Sequence, residues 1–131
     1  VVGTTSVART NDPLTRSIIG GAIEVHRALG PGLLESAYHR CLFRELSDRG
    51  HAVRSEVELP VTFKGERIDC AYRIDLLVDD AVIVELKCAE ALKPIHEAQI
   101  LTYLRLSRLS TGLLINFHVP VLHHGIKRFR L

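Results

Sequence analysis

Cysteine is scarce: Cys41, Cys70 and Cys88 are all the chain has, and no two form a CxxC pair. An odd, scattered set of this kind argues against a disulfide framework or a zinc site and favours a reducing compartment. No apolar run approaches the ~18–20 residues of a membrane span, and no charged segment followed by an apolar signal core stands at the N-terminus. The expected setting is therefore cytoplasmic, without membrane contact. Aromatic residues are only 5% of the chain, and neither a stacking series nor a recognition helix points to base-specific readout. An excess of one charge is also missing. Seventeen basic residues against fifteen acidic ones leave a net charge of +2, too little to announce a nucleic-acid binder by itself.

What is present fits one globular domain. The 131 residues are 47% hydrophobic and 24% charged, and no repeat, low-complexity tract or linker divides them. Residues 1–12 read as a flexible lead-in and 13–131 as a single domain. Leu14, Ile18, Ala22, Val25 and Leu29 recur at helical spacing until Gly-Pro-Gly at 30–32 breaks the helix. A second helix is expected from Leu33 to Asp48, with Leu34, Ala37, Cys41 and Leu42 on its apolar side.

The period then changes to two. Val53, Val57, Leu59, Val61 and Phe63 predict one strand ending at Lys64-Gly65. Cys70, Tyr72, Ile74, Leu76 and Val78 predict a second, and Val82, Val84, Leu86 and Cys88 a third. Leu92 to Arg108 reads as a helix with Leu92, Ile95, Gln99 and Leu106 along one stripe. The stretch TGLLINF reads as an apolar strand, and the basic GIKRFRL as a solvated terminal one. A single helix between the third strand and TGLLINF suits a right-handed crossover joining parallel neighbours. The expected architecture is α/β, a mixed central sheet flanked by helices.

Three charges interrupt the hairpin RIDLLVDDAVIVELKC: Asp75, Glu85 and Lys87. Even-numbered residues carry the apolar face on both arms, so paired residue numbers must sum to an even number. A three-residue turn, Asp79 to Ala81, meets that condition and pairs Val78 with Val82; Asp tolerates the left-handed conformation such turns need. Asp75 then opposes Glu85 and Arg73 opposes Lys87. Two carboxylates with Cβ atoms about 5 Å apart repel unless a cation intervenes, and they make half a site for Mg²⁺ or Mn²⁺. Lys87 shares their face and could hold an attacking water or neutralise a phosphate. The competing reading is a solvated sheet face on which Arg73 and Lys87 neutralise the acids.

Asp75 followed by Glu85-Leu86-Lys87 resembles the D…(D/E)xK signature of the PD-(D/E)XK nuclease superfamily, with Ile74 where a Pro usually precedes the Asp. GLLESAY, Gly32 to Tyr38, is similar to the motif of the GxxExxY proteins placed among these nucleases. Gln99 and Tyr103 in HEAQILTY resemble the Q-x-x-x-Y motif of the exonuclease-like branch; they share a helix face, joined by His96. Each has a plainer reading beside it. Glu35 suits the dipole of a helix N-terminus, and Gln99 suits a hydrogen-bonded contact between helix and sheet.

The resemblance spans Ile18 to the C-terminus and implies a restriction-endonuclease-like αβββαβ core. It further implies that Asp75, Glu85 and the Leu86 carbonyl bind Mg²⁺ or Mn²⁺, with Glu35 completing or orienting the site. Lys87 would activate the attacking water, while Gln99 and Tyr103, with His96, would orient Lys87 or the substrate. The implied reaction is metal-dependent hydrolysis of nucleic acid, DNA more than RNA, with Arg73, Lys93, Arg105 and Arg108 as candidate backbone contacts. The small size suggests a homodimer or a protein partner. Two alternatives stand beside it. One is a module that binds nucleic acid or a partner on the same fold without useful turnover. The other is an unrelated α/β domain carrying surface salt bridges. The remaining histidines, His26, His39, His51, His118, His123 and His124, show no metal-ligand spacing.

Overall fold

The computed structural model describes residues 4–6, 12–69 and 72–131. Helix α1 (Pro13–Leu29) begins at Asp12, whose carboxylate accepts the Leu14 N–H at 3.1 Å, with Pro13 in the first turn, where a missing N–H costs nothing. Ile18, Ala22 and Val25 are buried as the spacing predicts, with Leu14 and Leu29 packed at the margin. After the Gly-Pro-Gly break, in which Gly32 takes a φ of +99° that strains any other residue, helix α2 (Glu35–Asp48) buries Tyr38, Leu42 and Leu46. Leu34, expected on its apolar side, is 78% exposed because it is the N-cap and precedes the buried stripe.

The strands are β1 (Thr4–Ser6), β2 (Val53–Glu58), β3 (Val61–Phe63), β4 (Glu66–Ile68), β5 (Arg73–Val78), β6 (Val82–Lys87), β7 (Thr111–Asn116) and β8 (Ile126–Arg130). Helix α3 (Pro94–Ser107) connects β6 to β7, and a 3-10 turn at Leu122–Gly125 carrying His123 and His124 precedes β8. Six strands form one sheet in the order β1-β8-β7-β6-β5-β2. Among the described strands only β6 and β7 run parallel, as the single intervening helix predicts. One face packs on α1 and α2 through Leu76, Val78, Val84, Leu86, Leu113 and Ile115. The other packs on α3 through Leu77, Ile83, Leu114 and Phe129. This is a mixed α/β sheet between helices, the architecture expected from the sequence.

Four expectations need correction. The single strand over 53–63 breaks at Leu59-Pro60, and β3 pairs instead with β4 in a separate two-stranded hairpin. Pro60 has no N–H to give a ladder, and buried Leu59 sends its own N–H to the Tyr72 carbonyl at 2.9 Å. In the next strand Cys70 lies outside the described residues, Tyr72 is half exposed, and Ile74 joins the α3 side while Leu76 joins the opposite one. On α3 the buried residues are Ile100, Tyr103 and Leu104, whereas Ile95 is 69% exposed and Leu106 lies near the surface. The helix turns that way because Gly112 of β7 admits Ile100; a Cβ there would meet Ile100 Cδ1 at 2.9 Å. Finally, β8 is no solvated terminal strand. It lies between β7 and β1, the latter drawn from the segment read as a lead-in, and it buries Ile126 and Phe129.

Candidate active site

The β5–β6 hairpin closes through the expected three-residue turn. Asp79 and Asp80 have φ of 53° and 50°, and Val78 pairs with Val82, Leu77 with Ile83 and Leu76 with Val84. The ladder stops there. At the next step the two carboxylates take over its hydrogen bonding. Asp75 N–H donates to Glu85 Oε2 at 2.7 Å, and Leu86 N–H donates to Asp75 Oδ2 at 2.9 Å. Each acid is thus pinned to the backbone of the opposing strand, and the expected pair of Arg73 with Lys87 is not part of the ladder. The odd-numbered face is not devoted to polar chemistry as a whole, since Leu77 and Ile83 are buried under α3. Only its end, where β5 and β6 part, carries charge.

Burial and mutual repulsion govern this end. Glu85 is buried at 3% exposure, and its pKa is pushed up to about 8, first by desolvation and then by Asp75. Asp75 is also raised by desolvation, against the pull of the Leu86 N–H, His39 and Lys87. Lys87 is half-buried and closes no salt bridge among the described residues. It nevertheless lowers the pKa of Glu35, Asp75 and Glu85 alike, so all three carboxylates feel one ammonium. Two acids held together by backbone donors, one of them driven to the neutral state, form a site short of positive charge.

The other sequence candidates lie around this pair. Glu35 sits on the exposed side of the first turn of α2, its pKa raised by partial desolvation and then by Asp75. Tyr38 fixes where that turn begins. Its hydroxyl donates to the Gly30 carbonyl and accepts the Leu33 N–H at 3.2 Å, while its buried ring stacks on Phe117 with centroids 4.5 Å apart. On α3 Gln99 Nε2 donates to the Tyr103 hydroxyl at 3.0 Å, and Tyr103 feels Glu85 and Asp75 closely enough that both raise its pKa, after burial. His96 Nδ1 accepts the Lys93 N–H at 3.0 Å, so this ring serves first as a helix cap. Arg73, Lys93, Arg105 and Arg108 are all exposed.

A family model of the PD-(D/E)XK nuclease superfamily matches residues 12–129. The chain belongs to that superfamily. Neither the curated proteins nor the solved structures yield a match. The mixed sheet between helices is consistent with the restriction-endonuclease-like fold. Nucleases of this superfamily generally depend on a divalent metal, and the donor set can be tested against that requirement. Among the described residues no group of three His, Cys, Asp or Glu side chains is arranged to hold a metal. What the chain offers is sparer: two carboxylates, each with one oxygen fixed by a backbone donor and the other without a hydrogen bond among the described residues. Mg²⁺ commonly takes one or two carboxylates and completes its shell with water and phosphate oxygens. The residues fit such an ion.

Sequence reasoning missed two residues that act on the Asp75–Glu85 pair. Glu56 of β2 acts on Glu35 and Asp75, raising the pKa of both. Its place follows from the β2–β5 register, which no local pattern announces. His39 donates from Nε2 to the Asp75 carbonyl at 3.0 Å. A signal for it did exist, because His39 is four residues after Glu35 and shares its helix face.

Proposed function

We propose that this chain is a divalent-metal-dependent nuclease that hydrolyses phosphodiester bonds, acting on DNA in preference to RNA, in the GxxExxY branch of the superfamily. The observation that carries the reading is the crossed pair: Asp75 and Glu85, each locked by the other strand's N–H, beside a half-buried Lys87. Backbone donors cost no reorganisation when a ligand arrives, so the two free carboxylate oxygens are held ready.

In this reading Asp75, Glu85 and the Leu86 carbonyl hold Mg²⁺ or Mn²⁺, with Glu35 reaching the site directly or through water. The ion, when bound, polarises the phosphate and lowers the pKa of water. Lys87 orients the water that attacks and stabilises charge building on the phosphate oxygens. Tyr103, held by Gln99, flanks the carboxylates from α3 and orients Lys87 or the substrate backbone. Membership of the GxxExxY branch is supported by what the motif does here. Gly32 supplies the positive φ, Tyr38 pins the loop, and Glu35 is the side chain the pinned loop presents. The free thiols of Cys41 and Cys88 suit a cytoplasmic setting, and no helix among the described residues is long and apolar enough to cross a membrane.

The test is cleavage of single-stranded and duplex DNA and of RNA by the purified protein with Mg²⁺ or Mn²⁺. Cleavage of DNA is expected, and Lys87→Ala should reduce it at least ~100-fold while the variant still binds Mn²⁺. No cleavage of any of these substrates, with no metal binding by calorimetry, would sink the enzyme reading. Binding of DNA without turnover would leave a recognition module on a nuclease fold.

A further inference from the structure

Asp75 is absent from both ladders that flank it. The β2–β5 register pairs Ser55 with Leu76 and Val57 with Ile74, skipping Glu56 and Asp75, while the β5–β6 pairing ends at Leu76. The alternation of side chains changes at the same step. Val53 packs with the α1/α2 cluster but Val57 with the α3 cluster, and Leu76 and Ile74 divide likewise. Glu56, with a φ of 54°, is the residue at which β2 turns over. Such interruptions re-aim a side chain, and they leave backbone groups to be satisfied elsewhere.

Side chains satisfy both groups of Asp75. Its N–H goes to Glu85, and its carbonyl accepts from His39 Nε2 at 3.0 Å; Ser55 Oγ lies 3.3 Å from the same nitrogen. A carbonyl only accepts, so Nε2 carries a proton, and the Ser55 hydroxyl accepts from it as well. His39 thus replaces the partner that β2 withholds. It is half-buried and extends from α2, one turn after Glu35.

We infer that His39 is a positioning residue for the reaction. Its Nε2–H holds the Asp75 peptide out of the β2 ladder, so that the Asp75 carboxylate reaches Leu86 N–H. Helix α2 thereby supplies two things to the site, the Glu35 carboxylate and the donor that aims Asp75. The inference rests on Asp75 being part of the active centre proposed above.

The experiment compares the full chain with His39→Ala, His39→Leu and His39→Gln, the last able to carry an amide N–H to about the place of Nε2. Three quantities are read: Mn²⁺ affinity by calorimetry, kcat and KM for DNA cleavage, and amide hydrogen exchange at Asp75 and Leu86 by NMR. Removing the donor should weaken Mn²⁺ binding ~10–100-fold, lower kcat with little change in KM, and speed exchange at both amides. His39→Gln should recover most of each. Should Ala not fold, Leu fills the ring's volume and stands in for it. Wild-type Mn²⁺ affinity and unchanged exchange in the donor-less variant would overturn the inference, as would a Gln variant no better than Ala or Leu. If the wild-type protein neither binds Mn²⁺ nor cleaves, the nuclease reading falls. The role of His39 in a reaction falls with it, and exchange at Asp75 and Leu86 then decides only its hold on the Asp75 peptide: faster exchange without the donor supports that hold, and unchanged exchange overturns it.

Discussion

Glu85 is a costly residue where it stands. It lies in a strand buried on both faces, beside a second carboxylate, and two backbone-held acids compete there for one ammonium. The pKa near 8 carries a stability consequence with a definite sign. Between the ordinary value of 4.5 and about 8 the folded chain keeps a proton that the unfolded chain has lost, so stability falls as pH rises across that window and then levels. Glu85→Gln keeps an acceptor for the Asp75 N–H and removes the titration. The metal-free variant should melt higher than the wild type above pH 8, with a flatter profile from pH 5 to 8, while losing cleavage. Thermal melts in chelator at pH 5, 7 and 9 check this, and an unchanged slope would contradict it. With Glu85 as a ligand, as proposed, Mn²⁺ binding displaces its proton, so the affinity should climb with pH until about 8 and then level.

At the scale of elements, the link between α1 and α2 does more than connect them. Gly30 and Gly32 supply positive φ, and the Tyr38 hydroxyl ties Gly30 to Leu33, so the loop has one shape and Glu35 one starting point. Tyr38→Phe keeps the ring on Phe117 and strands both loop groups. We expect a loss of about 1–2 kcal/mol in urea denaturation, together with a larger fractional fall in activity than Gln99→Ala produces. Motif spacing made Glu35 and Tyr38 legible, because residues three apart on a helix must be neighbours. The facing of α3 was less so. Ile95 and Leu106 look like core at helical spacing, yet the helix buries Ile100 and Leu104 instead, because Gly112 of β7 leaves room at that place. A helix with apolar residues on two sides does not disclose which side meets the sheet.

For the whole molecule, Phe117 joins the parts. It is fully buried, stacks on Tyr38 of α2, lies near His26 of α1, and follows β7 directly, with its N–H donating to the Lys87 carbonyl at 2.9 Å. Phe117→Ala opens a cavity between both helices and the sheet. It should cost about 3–5 kcal/mol, a large part of the roughly 5–15 kcal/mol a domain has. Chemical denaturation would show it as a lowered midpoint with an unchanged slope.

The sequence by itself determined the three helices, the β5–β6 hairpin with its three-residue turn, the parallel step across α3, and the gathering of Asp75, Glu85 and Lys87 at that hairpin. These follow from short-range periodicity and from parity within a single hairpin, which covalent spacing enforces. Only the tertiary structure decided that the stretch 53–63 divides between two sheets at Leu59-Pro60, that β8 lies inside the sheet, and that the hairpin ladder gives way to crossed carboxylates. It alone brought Glu56 and His39 to Asp75. Those arrangements depend on contacts between segments far apart in the chain, where register and facing are set by the packing of whole surfaces rather than by any local pattern.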